Sequence, residues 1–144
     1  MKLIKNIKKF KSLPTARRKA FIHATALLLV VRPSLKVLPF KRVLKYLETP
    51  VSAETKHKDP LKFIDETRWA VQTAGTVIPG GSSCLPQALT LVYFLRKFSI
   101  PAKLKIGVQK DPNDLFSAHA WVEHDGKLIL GEKTEVDYKE ILTL

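Results

Sequence analysis

The 144-residue chain has a single cysteine, Cys84. One thiol excludes an internal disulfide and any zinc site built from several thiolates, and it suits the reducing cytoplasm, where thiols stay free. Neither a C-x-x-C nor an H-x-x-x-H spacing occurs, so neither a metal nor any other cofactor is expected. Acid is scarce in one part of the chain only. Residues 1–58 hold 15 Lys/Arg against Glu48 and Glu54, a charge of +13, whereas residues 59–144 hold 10 against 11, a charge of −1. The net +12 therefore belongs to the N-terminal part. A basic surface can bind nucleic acid. There is no helix-turn-helix glycine turn, zinc signature or aromatic-basic alternation of an RNA-binding strand, so no nucleic-acid partner is expected.

A long apolar run is also lacking. Ala20 to Val31 follows Arg17-Arg18 in the manner of an export signal. The run is far shorter than the roughly 20 residues a bilayer requires. His23 interrupts it, no A-x-A site follows, and Arg32-Pro33 closes it. A partly buried helix is the expectation, with His23 inside it. Met1 to Lys11 sets Leu3, Ile4, Ile7 and Phe10 against five lysines at helical spacing, which leaves weak membrane contact open.

With 45% hydrophobic residues the chain can bury a core. The charge break divides it into a basic helical region, 1–58, suited to docking a partner, and a neutral unit, 59–144. A helix is predicted from Thr15, as cap, to the residue before Pro33. A second spans Phe40 to Glu48, with Val43, Leu44 and Leu47 inward. A third spans Leu61 to Val77, and a fourth opens at Ser82 or Ser83, where Pro86 is tolerated in the first turn.

After Pro101 the period changes to two. Ala102, Leu104, Ile106 and Val108 point inward from one strand, Ala118 to Glu123 forms a second, and Lys127 to Gly131 a third. Asp125-Gly126 is a strong two-residue hairpin signal. With that turn, His124 pairs with Lys127, Trp121 with Leu130, and His119 with Glu132. The fold class is α+β: a helical region followed by a cysteine-bearing helix on a small three-stranded antiparallel sheet.

Cys84 stands in the first turn of the fourth helix. Unpaired N–H groups and the helix dipole there stabilise a thiolate and could receive an oxyanion. Free cysteine is also among the residues most often buried as an inert hydrophobe, so position alone decides nothing. A histidine on a later strand and an acid on the next complete a nucleophile, a base and an orienting group. The candidates are Cys84, His119 and Glu132, with Asp125 as the alternative acid.

Trp69-Ala70-Val71, Cys84 to Leu89 (CLPQAL), Ile100 to Val108 (IPAKLKIGV) and Ala118 to Glu123 (AHAWVE) resemble the motifs of lasso-peptide biosynthesis leader peptidases. These are cysteine enzymes of the transglutaminase-like superfamily, related to papain. The resemblance covers most of residues 61–131, and the basic N-terminus resembles that of the stand-alone form. It implies a cytoplasmic cysteine protease that cuts the leader from a lasso precursor peptide. A separate small leader-recognition protein and a separate lasso cyclase would act with it. Carried over, Cys84 is the nucleophile and His119 the base. The family more often uses Asp as the third member, and papain-type enzymes usually have Gln six residues before the cysteine, where this chain has Ile78. Gln72, Gln87, Ser82 and Ser83 stand open as the second oxyanion donor.

Two other readings share these residues. The same triad can pass an acyl group to an amine, as transglutaminases do, or the protein is a non-catalytic basic adaptor with Cys84 in its core. His57 and His124 are expected in solvent, and Trp121 could wall the site.

Overall fold

The computed structural model describes residues 8–48, 58–79, 83–110, 112–131 and 138–144. Its elements are α1 (Thr15–Val37), α2 (Phe40–Glu48), α3 (Pro60–Val77), α4 (Cys84–Lys97), β1 (Lys103–Lys110), β2 (Phe116–His124), β3 (Lys127–Leu130) and β4 (Lys139–Thr143). The class is α+β, as the residue pattern implies. The sheet is antiparallel and has four strands in the order β3-β2-β1-β4, one more than expected. The missed strand, KEILT, is short and occupies an edge. Long-range pairing with β1 holds it, and Leu104 and Leu144 exchange backbone hydrogen bonds at 2.8 and 2.9 Å just past its end.

α1 departs from its expected bounds at both ends. Pro14 is the N-cap and Thr15 the first helical residue, with no side-chain capping bond. The helix runs four residues past Pro33, because tertiary packing of Leu35 outweighs the local penalty a proline imposes on the residue before it. Arg32 is anchored there by donating from Nη1 to the Pro79 carbonyl. Lengthened in this way, α1 meets the length and composition needed to cross a bilayer, a test that core helices and signal sequences also pass. Within the fold, Ala24 and Leu28 are fully buried, and α1 packs along α3 and against α4.

The charge break near Lys58 is not a packing boundary. Leu28 of α1 and Val43, Leu44 and Leu47 of α2 join the same core as Val71 of α3, Leu89, Val92 and Leu95 of α4, and Leu104 and Val122 of the sheet. Arg96 Nη1 donates to the Leu47 carbonyl at 2.9 Å, which satisfies an orphan carbonyl at the end of α2. α3 starts with Asp59, whose carboxylate accepts from Lys62 N at 3.1 Å, and with Pro60 in the first turn.

On β1 and β2 the helix-side face carries Leu104, Ile106, Ala120 and Val122, all buried. The opposite face carries Lys105, Gly107, His119, Trp121 and Glu123. Asp125 (φ 49°) and Gly126 (φ 74°) form the two-residue turn, and His124 pairs with Lys127 as predicted. The register then shifts. Glu123 faces Leu128, but Val122 faces Leu130, and Ile129 is the extra residue of a bulge. The predicted Trp121 to Leu130 pair is thereby corrected. A regular ladder would have put Leu130 on the outer face, and the bulge turns it inward beside Val122, where it is 5% exposed.

Candidate functional site

Cys84 is free, half-buried and in the first turn of α4, with Ser83 as N-cap residue in extended conformation. The preceding Gly80, Gly81 and Ser82 lie outside the described residues. Ser83 makes no side-chain capping bond, and Pro86 sits in the first turn, where its missing N–H costs no helical bond. Ile78, six residues before the thiol, is 8% exposed and belongs to the core.

The thiol opens on a cavity of about 410 Å³, within the size range of small-ligand and peptide side-chain sites. Arg68 and Gln72 of α3 line one side, one helical turn apart. Gln87 of α4 and Ala120 of β2 adjoin Cys84, and Leu128 to Gly131 form the far wall. The lining thus holds two amide side chains and one guanidinium around a sulfur, against an apolar strand. Arg68 was missed from sequence. Its spacing of four from Gln72 places both on one helix face, and that spacing was the available signal. Arg68 also pairs with Asp65 at 3.1 Å in an exposed ion pair.

The residues predicted as base and acid are placed as follows. His119 follows strand alternation and leaves β2 on the face opposite Ala120. Its ring stacks on Trp121 (centroids 6.0 Å apart, 17° between planes) and tilts against Tyr138 (5.4 Å, 33°). Among the described residues its buried Nε2 has no hydrogen-bond partner. Among the described residues no hydrogen bond joins it to Cys84. Trp121 does not line the thiol cavity. Its Nε1 donates to Glu123 Oε1 at 3.1 Å, and Glu123 in turn pairs with Lys105 at 3.3 Å. Glu132 lies outside the described residues. Asp125 is in the turn, 78% exposed, and its carboxylate lies 3.3 Å from His124 Nε2.

The other histidines are corrected in part. His23 is exposed, not buried in α1. His124 is not solvated: its side chain is 12% exposed, with Nδ1 at 2.5 Å from the Pro101 carbonyl. His57 lies outside the described residues, and among those described no cluster of His, Cys, Asp or Glu could hold a metal ion.

Glycine is required where β3 leaves the sheet. Gly131 has φ 95°, and a Cβ there would sit 2.7 Å from Trp121 Cβ. Gly107, paired with His119, has a Cβ position 2.7 Å from Tyr138 Cβ. The absence of that side chain lets the Tyr138 and Trp121 rings close over β1 beside the histidine.

A helix that carries a cysteine in its first turn and backs onto an antiparallel sheet is the framework of thiol enzymes of the papain and transglutaminase type. The chain belongs to the transglutaminase-like superfamily, whose family model matches residues 25–143, from within α1 to β4. That superfamily comprises cysteine proteases and acyl-transferring transglutaminases. No curated protein and no solved structure matches the chain.

Proposed function

We propose that the protein is a cytoplasmic cysteine peptidase that removes the leader from a ribosomally made lasso precursor peptide. It would act with a separate small leader-recognition protein and ahead of a separate lasso cyclase. The observation that carries this reading is Cys84 in the first turn of α4 on a polar-lined cavity, in a chain of the transglutaminase-like superfamily.

On this reading the Cys84 thiolate attacks the scissile carbonyl, and the carbonyl oxygen takes the negative charge. The Cys84 backbone N–H receives it, with the Gln72 or Gln87 amide as second donor. Protonated His119 gives its proton to the departing amine as the C–N bond breaks, leaving a thioester. Neutral His119 then takes a proton from water, the hydroxide attacks the thioester, and the sulfur leaves as thiolate. Ala120 of β2 lines the Cys84 cavity while His119 leaves the opposite face, so these steps require β2 to rearrange and bring the imidazole to the thiol in the substrate-bound state. Glu132 is the proposed orienting acid, with Asp125 as its alternative.

The test is incubation of the protein with a lasso precursor and its recognition partner, with products followed by mass. Wild type releases leader and core, and Cys84→Ala releases neither. Cleavage by Cys84→Ala at the wild-type rate overturns the nucleophile. Glu132→Ala and Asp125→Ala distinguish the acids, and full activity in both removes the triad from the proposal. Adding a primary amine separates the acyl-transfer reading: a product carrying the amine in place of a free carboxylate would favour it.

A further inference from the structure

Among the described residues that line the Cys84 cavity, one carries a charge. Arg68 stands on α3 a turn before Gln72, and the rest of the wall is two amides, the thiol and uncharged strand residues, with no carboxylate among them. The proposed chemistry uses the amides and gives the guanidinium no part.

Arg68 is not committed to holding the fold. Its one polar partner among the described residues is Asp65, three residues earlier on the same helix, and the contact joins a single nitrogen, Nη2, to a single oxygen at 3.1 Å. A guanidinium presents five N–H donors in a planar fork, so one such contact leaves most of them unused. The pair is also weakly held. Its side chains are 44% and 70% exposed, and exposed pairs one turn apart on a helix add little to stability. Asp65 does not line the cavity. The counter-charge is thus outside the cavity, while the guanidinium belongs to its wall.

We infer that Arg68 is a specificity-determining residue that binds a carboxylate of the polypeptide attacked by Cys84, the side chain of an Asp or Glu close to the scissile bond. A guanidinium matches a carboxylate in plane and spacing, and the charge-assisted N–H···O bonds between them are about twice as strong as neutral ones. An amide in the same place would receive weaker bonds, and an ammonium would be repelled. The inference rests on the peptidase reading for the identity of the polypeptide. The preference for a carboxylate beside the thiol does not.

The experiment uses the full chain and its single cysteine, so that alkylation reports on Cys84 alone. Iodoacetate and iodoacetamide both lose iodide to the attacking thiolate and differ in a carboxylate against an amide. Their rates are followed by intact mass, with Cys84→Ala as blank, and the ratio of the two is divided by the same ratio for N-acetylcysteine. The thiolate fraction cancels in that quotient. Wild type is expected to favour iodoacetate about fivefold over the reference, Arg68→Gln to fall to the reference, and Arg68→Lys to keep part of the preference. Lys62→Gln removes an exposed cation of α3 that does not line the cavity, and should leave the quotient unchanged. Melting curves establish that each variant is folded. A wild-type quotient at the reference, or one equal in wild type and Arg68→Gln, overturns the inference. An equal fall in Lys62→Gln assigns the effect to the general charge of the chain and also overturns it.

The precursor supplies the second arm. Each Asp and Glu flanking the cut is changed to its amide, and a C-terminally amidated precursor separates a side chain from the chain terminus. One side-chain change should raise KM about fivefold in wild type, with kcat less affected, and have no further effect in Arg68→Gln. Coupling to the terminus instead, or to no carboxylate, overturns the assignment to Asp or Glu. A precursor left uncut by wild type sinks the peptidase reading and leaves the alkylation preference standing. Equal cleavage by wild type and Arg68→Gln, with a flat quotient, does the reverse.

Discussion

Leu130 stands opposite Val122, both on the helix-side face, because Ile129 is inserted as an extra residue between Leu128 and Leu130. The same shift makes Leu130 part of the wall that faces Cys84. One bulge thus joins core packing to the shape of the candidate site.

Replacing that side chain should cost stability. Leu130→Ala is expected to destabilise the fold by about 2–5 kcal/mol, the usual range for truncating a buried leucine. Urea unfolding followed by circular dichroism measures it. A loss below about 0.5 kcal/mol would mean that the bulge is not held by this burial.

Gly131 is the next residue, and there an added methyl group meets both strain and a clash. Gly131→Ala places a Cβ against Trp121 at a φ that L-residues rarely adopt. Destabilisation of more than about 1 kcal/mol is expected, with a changed tryptophan signal in near-UV circular dichroism. A variant with the wild-type midpoint and spectrum would contradict the close approach of Gly131 to Trp121.

On the proposed reading, His119→Ala should lower leader cleavage about 10²–10⁴-fold, the span of a general acid-base group. Tyr138 touches that ring. Tyr138→Phe keeps the ring contact and should retain near-wild-type activity, whereas Tyr138→Ala should lose a substantial part of it. Equal rates for the two Tyr138 variants would separate that contact from function.

The outer face of the sheet sets an acid limit. Glu140 is held below its ordinary value of 4.5, first by the Thr143 hydroxyl and then by Lys105. Its contribution to stability is therefore present above that value and lost as pH falls through the lowered one. Lys105 is raised above 10.5, first by Glu140 and then by Glu123, so its contribution is complete below 10.5 and lost only at stronger alkali. The melting temperature should decline from about pH 5 towards pH 3, and Glu140→Gln should flatten part of that slope. The effect should be modest because these groups face water. An identical pH profile in Glu140→Gln would contradict it.

Much of the fold was legible because local signals agreed. The spacing of Val43, Leu44 and Leu47 placed α2 at its observed bounds, and Asp125-Gly126 placed the hairpin turn. What failed depended on distant partners. Pro33 looked like a stop, yet α1 continues because Leu35 packs on the core. β4 has a weak local pattern and exists through its pairing with β1. Of the candidate site, the position of Cys84 at a helix start was readable from Pro86 and the apolar spacing beyond it. Arg68 in its cavity was not, since nothing in one segment says which helix face will meet another.

The sequence by itself determined the helix-then-strand order, the inward stripes and the placement of the thiol, because these follow from period, turn chemistry and proline within a few residues. Tertiary structure alone decided that α1 and α2 share the core with the neutral half, and that a bulge displaces the β2–β3 register. It also decided that the face carrying Ala120, and not the one carrying His119, meets the Cys84 cavity. Each of these is settled by which apolar surfaces bury one another, a quantity summed over the whole chain and absent from any local window.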